Sequence, residues 1–157
     1  MTDLDRAYVL GPGGTVLPEA GGEHMRVLVG GEQSLGQYAL LSYVLDHDAV
    51  PHVHDREDES VFVVEGEITV HIGPDAYQLG PGGFAFMPRG VPHAITRHTP
   101  TWAGFSVSAP GGVFDSIIRD RTAARVAGEI LDEEAVWRIR ERYGMRRVGS
   151  LTEGIEP

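Results

Sequence analysis

The sequence contains no cysteine, and this absence removes several kinds of chemistry. Without a thiol there is no disulfide, Fe–S cluster, thiolate metal site or cysteine nucleophile, so only nitrogen and oxygen ligands are left for a metal. All 13 basic residues are arginines, and without lysine no Schiff base with pyridoxal phosphate can form. Asparagine is missing too, which excludes an N-glycosylation acceptor.

Long apolar runs and an excess of basic charge are also missing. No apolar run reaches the length of a bilayer span, and the segment Met1–Arg6 lacks the basic and then apolar layout of a signal peptide. We therefore expect a cytoplasmic protein. Acidic residues outnumber basic ones by 23 to 13, and the net charge of −10 repels phosphate backbones and anionic lipid headgroups. We expect neither nucleic acid nor a membrane surface as a partner.

Glycine and proline are abundant, with 21 and 10 occurrences among 157 residues. A chain of this length can form one domain with a substantial core, and glycine and proline mark tight turns between short elements. Between the turns, runs rich in valine, isoleucine, phenylalanine and tyrosine predict strands. The predicted strands are Met25–Val29, Gln37–Leu45, Val50–His54, Ser60–Glu65, Glu67–Ile72, Tyr77–Leu79, Phe84–Met87, His93–Arg97 and Trp102–Ser108. Short strands at this even spacing favour an all-β sandwich or barrel.

The spacing of apolar residues changes after the last predicted strand. It becomes three and four residues, which predicts two C-terminal helices, and the residues concerned are Phe114, Ile117, Ile118, Val136, Ile139 and Tyr143. Asp132 is a suitable N-cap for the second helix, and Gly144 is a suitable C-cap. We therefore divide the chain into a glycine-rich N-terminal arm (1–24), a β domain (25–112), helices packed on that domain (113–148) and a frayed tail (149–157).

Several histidines have the spacing of metal ligands. His52 and His54 stand at positions i and i+2 of a predicted strand, so their side chains point to one face with backbones about 7 Å apart. Glu59 opens the next strand after a charged turn, and a hairpin there would return its carboxylate to the two imidazoles. His93 begins a later strand after two prolines that fix the direction of the chain. Three imidazoles and one carboxylate suit a divalent transition metal (Mn, Fe, Co, Ni, Cu or Zn) and suit Ca or Mg poorly.

The remaining charged residues have less specific interpretations. Glu57 and Asp58 compete with Glu59 as ligands, but strand register favours Glu59 and leaves the other two in a solvated acidic turn. Arg26 and Arg89 could hold an anionic group of a substrate, although exposed arginines need no such role. The remaining histidines, expected at solvated positions or at the rim of a pocket, are His24, His47, His71 and His98.

Aromatic residues recur at strand spacing, and we expect most of them in the core, with some lining a cavity. They are Tyr38, Tyr43, Phe62, Phe84, Phe86, Trp102 and Phe105.

The joint spacing of these residues resembles the two motifs of the cupin family. The first motif runs His-x-His, three or four residues, Glu, six residues and Gly, and every step is matched by His52, His54, Glu59 and Gly66. The second runs Gly, five residues, Pro-x-Gly, two residues, His, three residues and Asn, and its matching residues are Gly82, Pro88, Gly90 and His93. Asp46 stands where the first motif begins with glycine, and Arg97 stands where the second ends with asparagine. Neither position is a metal ligand in the family.

The resemblance covers roughly residues 25–110 and implies a small β-barrel of two facing sheets, the double-stranded β-helix or jelly-roll-like fold. It also implies one divalent transition metal per chain and a homodimer. The implied metal ligands are His52, His54, Glu59 and His93. Glu59 can have a second role as a catalytic base for a metal-bound hydroxyl group.

The wider sequence around the first motif is similar to single-domain, quercetinase-like dioxygenases. This similarity implies a metal-dependent oxygenase that combines dioxygen with a small hydroxylated substrate of aromatic or polyketide-like type. Two alternatives stay open. One is a redox-silent isomerase, cyclase or dehydratase that uses the same metal as a Lewis acid. The other is a non-catalytic protein that binds a small ligand.

Overall fold

The computed structural model describes residues 6–17 and 24–154, in which two antiparallel β-sheets face each other. Sheet A has the strand order β1-β2-β9-β4-β7, and sheet B has the order β10-β3-β8-β5-β6. The strands are β1 (His24–Val29), β2 (Ala39–Leu45), β3 (Ala49–His54), β4 (Asp58–Glu65), β5 (Ile68–Ile72), β6 (Asp75–Leu79), β7 (Phe84–Met87), β8 (His93–Arg97), β9 (Trp102–Ala109) and β10 (Met145–Arg147). This sandwich of two facing sheets confirms the all-β cupin fold that the sequence predicted.

Alternation along the strands places one face of each sheet in the core. On β4, for example, Val61 and Val63 are buried, whereas the intervening Phe62 is 43% exposed. The core between the sheets consists of Tyr43, Val61, Val63, Ile68, Val70, Ala85, Met87, Ile95 and Trp102. Burying side chains of this size contributes roughly 1.5–3 kcal/mol each relative to exposure. The core therefore gives both sheets a rigid inner face from which polar side chains can project.

Two helices follow the sheets, as the apolar spacing predicted. They are α1 (Phe114–Val126) and α2 (Glu133–Arg142). The side chain of Asp132 accepts a hydrogen bond from the backbone N–H of Ala135, so the predicted N-cap of α2 is confirmed. Gly144 follows the end of α2 at φ 83°, a conformation that glycine adopts without strain. Neither of these helices has the length and apolar character needed to cross a lipid bilayer.

The C-terminal helices are held against sheet B by a second buried cluster. Ile117 of α1 and Trp137 of α2 pack together with Met145 of β10. The sequence did not predict β10, a short strand that pairs with β3 and places Met145 opposite His54. A strand of 3 residues is too short to show alternation in the sequence, so only the pairing reveals it.

The two ends of the chain are described in part. Of the predicted arm (1–24), residues 1–5 and 18–23 lie outside the described residues, as do residues 155–157 of the predicted tail. In the described part of the arm, the backbone N–H of Val16 donates to Val27 of β1. In the tail, the Glu153 carboxylate accepts from the backbone N–H of Gly149 and lies 3.8 Å from Arg146. These contacts tie both segments to the domain.

The aromatic residues are distributed differently from the prediction. Tyr43 and Trp102 are buried in the core, where their rings meet edge to face with centroids 4.9 Å apart. The prediction was wrong for the other five, which are 38–59% exposed: Tyr38, Phe62, Phe84, Phe86 and Phe105. Strand spacing shows which residues share a face, but it does not show which face is covered.

Candidate metal centre

Both sheets contribute to the group of residues that the motif spacing singled out. His52 and His54 lie on β3 of sheet B, and His93 opens the neighbouring strand β8 directly opposite His52. Glu59 lies on β4 in sheet A and reaches the histidines from the facing sheet. The expected hairpin between β3 and β4 is therefore wrong, because β4 pairs with β7 and β9. The Glu59 carboxylate therefore approaches the histidines from the opposite sheet and not from a strand paired with β3.

The structure brings all four side chains to one point. Their ligand atoms lie within 4.8 Å of one another. Oε2 of Glu59 is 3.3 Å from Nε2 of His54 and 3.4 Å from Nε2 of His93. The ring centroid of His52 lies 5.1 Å from that of His54 and 4.4 Å from that of His93. Three nitrogens and one oxygen thus converge within a volume that one ion could occupy.

Hydrogen bonds at the outer nitrogen orient each imidazole. Nδ1 of His52 lies 2.8 Å from the carbonyl of Val50, and Nδ1 of His93 lies 3.0 Å from that of Val91. Because a carbonyl only accepts, Nδ1 carries the proton in both rings and Nε2 keeps the free lone pair. That lone pair is the one that coordinates a metal. The local backbone therefore sets the tautomer of these two histidines before any metal binds.

His54 differs because a carboxylate occupies its outer side. Nδ1 of His54 donates to Oε1 of Glu57 over 2.8 Å, with both side chains at most 2% exposed. We predicted Glu57 in a solvated acidic turn, and that prediction was wrong. The physical reason is the path of the chain between the sheets, which turns Glu57 inward behind His54. Glu57 follows His54 by three residues, and this spacing is the signal in the sequence that could have identified it as the partner of His54.

The inner nitrogens provide a test of whether these residues fit a metal. Nε2 of His54 and Nε2 of His93 are buried and have no hydrogen-bond partner among the described residues. Buried nitrogens without a partner are costly, so a native structure rarely keeps them unless something else satisfies them. A divalent transition metal accepts both lone pairs together with the carboxylate charge. The residues present therefore fit the metal that the family implies.

The pKa values reflect the burial of one carboxylate among three imidazoles. Burial alone would raise the pKa of Glu59, but its attraction to His93, His54 and His52 is larger and lowers that pKa to about 2. Burial, reinforced by repulsion from His93 and His54, lowers the pKa of His52 to about 3. At neutral pH the cluster therefore presents an ionised carboxylate and a neutral His52 imidazole, which are the protonation states that metal binding requires.

A cavity of about 480 Å³ adjoins the cluster. Glu59, His52 and His93 form one part of its wall. Most of the remaining wall is apolar, and the large side chains in it are Met25, Tyr43, Ile95, Trp102, Phe114, Ile117 and Trp137. Volumes of about 300–1,000 Å³ with apolar walls and a few polar groups are typical of sites for small molecules. The arrangement can hold a small ligand in contact with the candidate metal centre.

The two helices complete this cavity, and the sequence did not indicate their part in it. The ring of Phe114, at the start of α1, stacks nearly parallel to His54 with an interplanar angle of 7° and centroids 6.3 Å apart. The ring of Trp137, on α2, lies 6.4 Å from the His52 ring, measured between centroids. The guanidinium of Arg140 lies 4.6 Å from the centroid of the Trp137 indole. The helical spacing of these residues indicated only that one face of each helix is buried. That this face borders a ligand cavity follows from the tertiary structure.

The other candidate histidines lie away from the cluster. His47 is 50% exposed and lines the cavity, which matches the predicted rim position. His71 and His98 face hydroxyl groups of neighbouring strands, Thr96 at 3.2 Å and Thr69 at 2.7 Å. The backbone of His24 opens β1 opposite Val44. The ligand cluster therefore contains only the three histidines of the two motifs, among the residues described.

The two candidate arginines also lie outside the cluster. Arg89 makes a two-pronged contact with Asp58, with Nε and Nη2 each 3.0 Å from a carboxylate oxygen. This pairing lowers the pKa of Asp58 to about 2. The predicted turn position of Asp58 was wrong, because this residue opens β4, where its side chain is 30% exposed. Arg26 lies on β1, beside a shallow surface groove next to residues 6–12. Neither arginine borders the cavity of the metal cluster.

Several solved structures share this fold at low sequence identity. KdgF from Halomonas sp. is 20% identical, with 57% of this chain and 79% of that chain covered and a TM-score of 0.51. A protein with a double-stranded beta-helix domain from Klebsiella pneumoniae is 21% identical, with coverage of 68% and 92% and a TM-score of 0.52. A predicted oxalate decarboxylase from Thermotoga maritima is 19% identical, with coverage of 55% and 78% and a TM-score of 0.51. At these identities the similarity shows the fold alone.

The sequence also matches a family model. Residues 43–105 match the cupin domain, and this range includes Glu59 and the three histidines of the cluster. No curated protein matches the sequence significantly. The family match, the two facing sheets and the cluster of three histidines and one glutamate together show that this chain contains a cupin domain.

Proposed function

We propose that the protein is a metal-dependent oxygenase of the quercetinase-like type. Its substrate is a small hydroxylated compound of aromatic or polyketide-like character, and its metal ligands are His52, His54, Glu59 and His93. The observation that carries the proposal is the convergence of the four ligand atoms within 4.8 Å beside a largely apolar cavity of about 480 Å³. Metal and substrate would therefore meet in one cavity.

The shape and chemistry of the cavity support this substrate class. Tyr43, Trp102 and Trp137 contribute aromatic surface to its wall, and flat aromatic compounds pack favourably on such side chains. The polar lining groups include those of the cluster and, from the helices, Arg121, Arg125 and Arg140. A hydroxylated aromatic compound would place its oxygen at the cluster and its rings against the apolar wall.

A divalent transition metal, when bound, would supply Lewis acidity that lowers the pKa of a coordinated hydroxyl group. Glu59 lines the cavity and is 12% exposed, so its carboxylate can reach a hydroxyl group placed at the cluster. It is ionised at neutral pH, because the pKa is lowered to about 2. A carboxylate of such low pKa is a weak base, so it accepts protons efficiently only from an acidified hydroxyl. Phe114 and Trp137 contribute apolar surface to the same cavity.

Oxygen uptake tests the proposal. The purified protein, loaded in turn with Ni²⁺, Mn²⁺, Fe²⁺ or Co²⁺, is mixed with a flavonol in an oxygen electrode. We expect metal-dependent oxygen consumption that Glu59→Gln abolishes, because the amide cannot accept the substrate proton. Asp58→Asn is the matched control, since this neighbouring carboxylate pairs with Arg89 outside the cavity. Full activity of Glu59→Gln would remove the base role, and no uptake with any metal would refute the oxygenase.

The alternative functions give different results in the same experiment. A redox-silent isomerase, cyclase or dehydratase would use the same ligand cluster, and its turnover would continue without oxygen. A non-catalytic binding protein would shift the absorption spectrum of an aromatic ligand without consuming it. Cytoplasmic location and the absence of nucleic-acid and membrane partners stay predictions from the sequence.

A further inference from the structure

Glu57 is a fully buried acidic residue that the proposed reaction does not use. Its side chain is 0% exposed, and burying an ionised carboxylate is costly unless other groups compensate its charge. Oε1 accepts the hydrogen bond from Nδ1 of His54. Oε2 has no hydrogen-bond partner among the described residues. Such an arrangement needs an explanation, because an uncharged side chain would fill the space at lower cost.

The three histidines of the cluster differ only in what accepts their outer N–H. His52 and His93 donate to backbone carbonyls, whereas His54 donates to the Glu57 carboxylate. A charged acceptor forms a stronger hydrogen bond than a neutral one and makes the imidazole a more basic ligand. His54 is thus set apart from the other two by a residue that the cupin motif does not specify.

The ring of His54 links Glu57 to the start of α1. On one side of the ring, Nδ1 donates to the Glu57 carboxylate. The Phe114 side chain stacks on the ring of His54 at the same time. Glu57, His54 and the start of α1 therefore form one connected unit.

We infer that Glu57 is a positioning residue of the metal centre, which holds the ring and tautomer of His54 against Phe114 of α1. The inference rests on the proposed metal site. Outer carboxylates of this kind typically change metal affinity by about 10–100-fold when they are removed. Glu57 would not touch the substrate or the reacting atoms.

The affinity for Co²⁺, measured by competition with a chromogenic chelator, tests this role without any substrate. We expect Glu57→Ala to weaken Co²⁺ binding about 10–100-fold. Glu57→Gln should recover part of the loss, since its amide oxygen still accepts the proton of Nδ1 while the charge is gone. Glu65→Gln is the control, because it removes the same charge from an exposed position at the end of β4.

A second readout covers the case in which Glu57→Ala folds poorly. Nitrogen-15 NMR of the metal-free protein reports which ring nitrogen of His54 carries the proton. We expect the Nδ1–H form in the wild type and in Glu57→Gln, and a mixture of tautomers in Glu57→Ala. An unchanged tautomer and a Co²⁺ affinity within twofold of the wild type would overturn the inference. A wild-type protein that binds no metal would also overturn the inference. Metal binding without oxygen uptake would refute the oxygenase alone.

Discussion

The stabilisation of the fold by metal gives a direct measure of the ligand cluster. A ligand that binds only the folded state at 100 times its dissociation constant stabilises that state by about 2.7 kcal/mol. For a domain of this size each 1 kcal/mol shifts the melting temperature by about 2–4 °C. We therefore expect saturating Ni²⁺ or Co²⁺ to raise the melting temperature of the wild type by about 5–11 °C over the value in chelator.

His52→Ala removes one of the four ligands and should abolish most of this shift. If the affinity falls 100-fold, the same metal concentration contributes only about 0.4 kcal/mol, or roughly 1 °C. The substitution also leaves space between His93 and Trp137, whose rings lie 4.4 Å and 6.4 Å from His52, so the melting temperature in chelator will change as well. The quantity to compare is therefore the difference between metal and chelator for each variant.

Differential scanning calorimetry measures that difference. His71→Ala is the matched control, because this half-buried histidine lies on β5 and faces Thr96 outside the cluster. We expect its metal-dependent shift to equal that of the wild type. An equal shift in His52→Ala and in the wild type would show that the metal binds elsewhere, and the reasoning from the cluster would fail.

Three further predictions concern the fold around the site. The pKa of His52 is lowered to about 3 in the folded protein. Between pH 6.5 and 3 the unfolded chain therefore binds a proton at this residue that the folded chain does not bind. The free energy of unfolding of the metal-free protein should fall as pH decreases through that window. This group contributes up to about 2 kcal/mol of that loss at pH 5, and urea unfolding of His52→Gln should show a smaller decrease from pH 7 to 5; an equal decrease would contradict this assignment. Gly104→Ala places a Cβ 2.6 Å from the carbonyl oxygen of Phe62 and should destabilise the domain by about 1–3 kcal/mol. Gly80→Ala is the control, because a Cβ there meets nothing within 4 Å. Equal free energies of unfolding for the two variants would contradict this prediction. Asp132→Ala removes the N-cap of α2 and should lower the free energy of unfolding by about 1 kcal/mol, and an unchanged value would show that α2 is held by packing alone.

Local patterns predicted much of the fold. The limits of β7 and β8 agree with the prediction, and the other predicted strands differ by a few residues at their ends. Alternation and turn residues act over a few positions, so they are readable from neighbours in the chain. The pairing of strands is not local, and this is why the expected β3–β4 hairpin was wrong although both strands exist.

The candidate site shows the same division. The spacing of two motifs identified His52, His54, Glu59 and His93, because these ligands stand at strand positions where the backbone geometry is regular. Glu57 was placed in solvent, since a charged residue in a charged turn is usually exposed. Its burial depends on the path of the chain between two sheets, which is set by strand pairings between distant segments. No pattern within the turn contains that information.

By itself the sequence determined the chemistry that is available: imidazole and carboxylate ligands, no thiol, no lysine, and alternating strands that can present side chains on one face. These properties depend on residue types and on intervals of a few residues. Only the tertiary structure decided that Glu59 arrives from the facing sheet, that Glu57 accepts the hydrogen bond from His54, and that two helices line a cavity beside the cluster. The reason is that burial and charge pairing depend on which distant segments pack together, and that packing is a property of the whole chain.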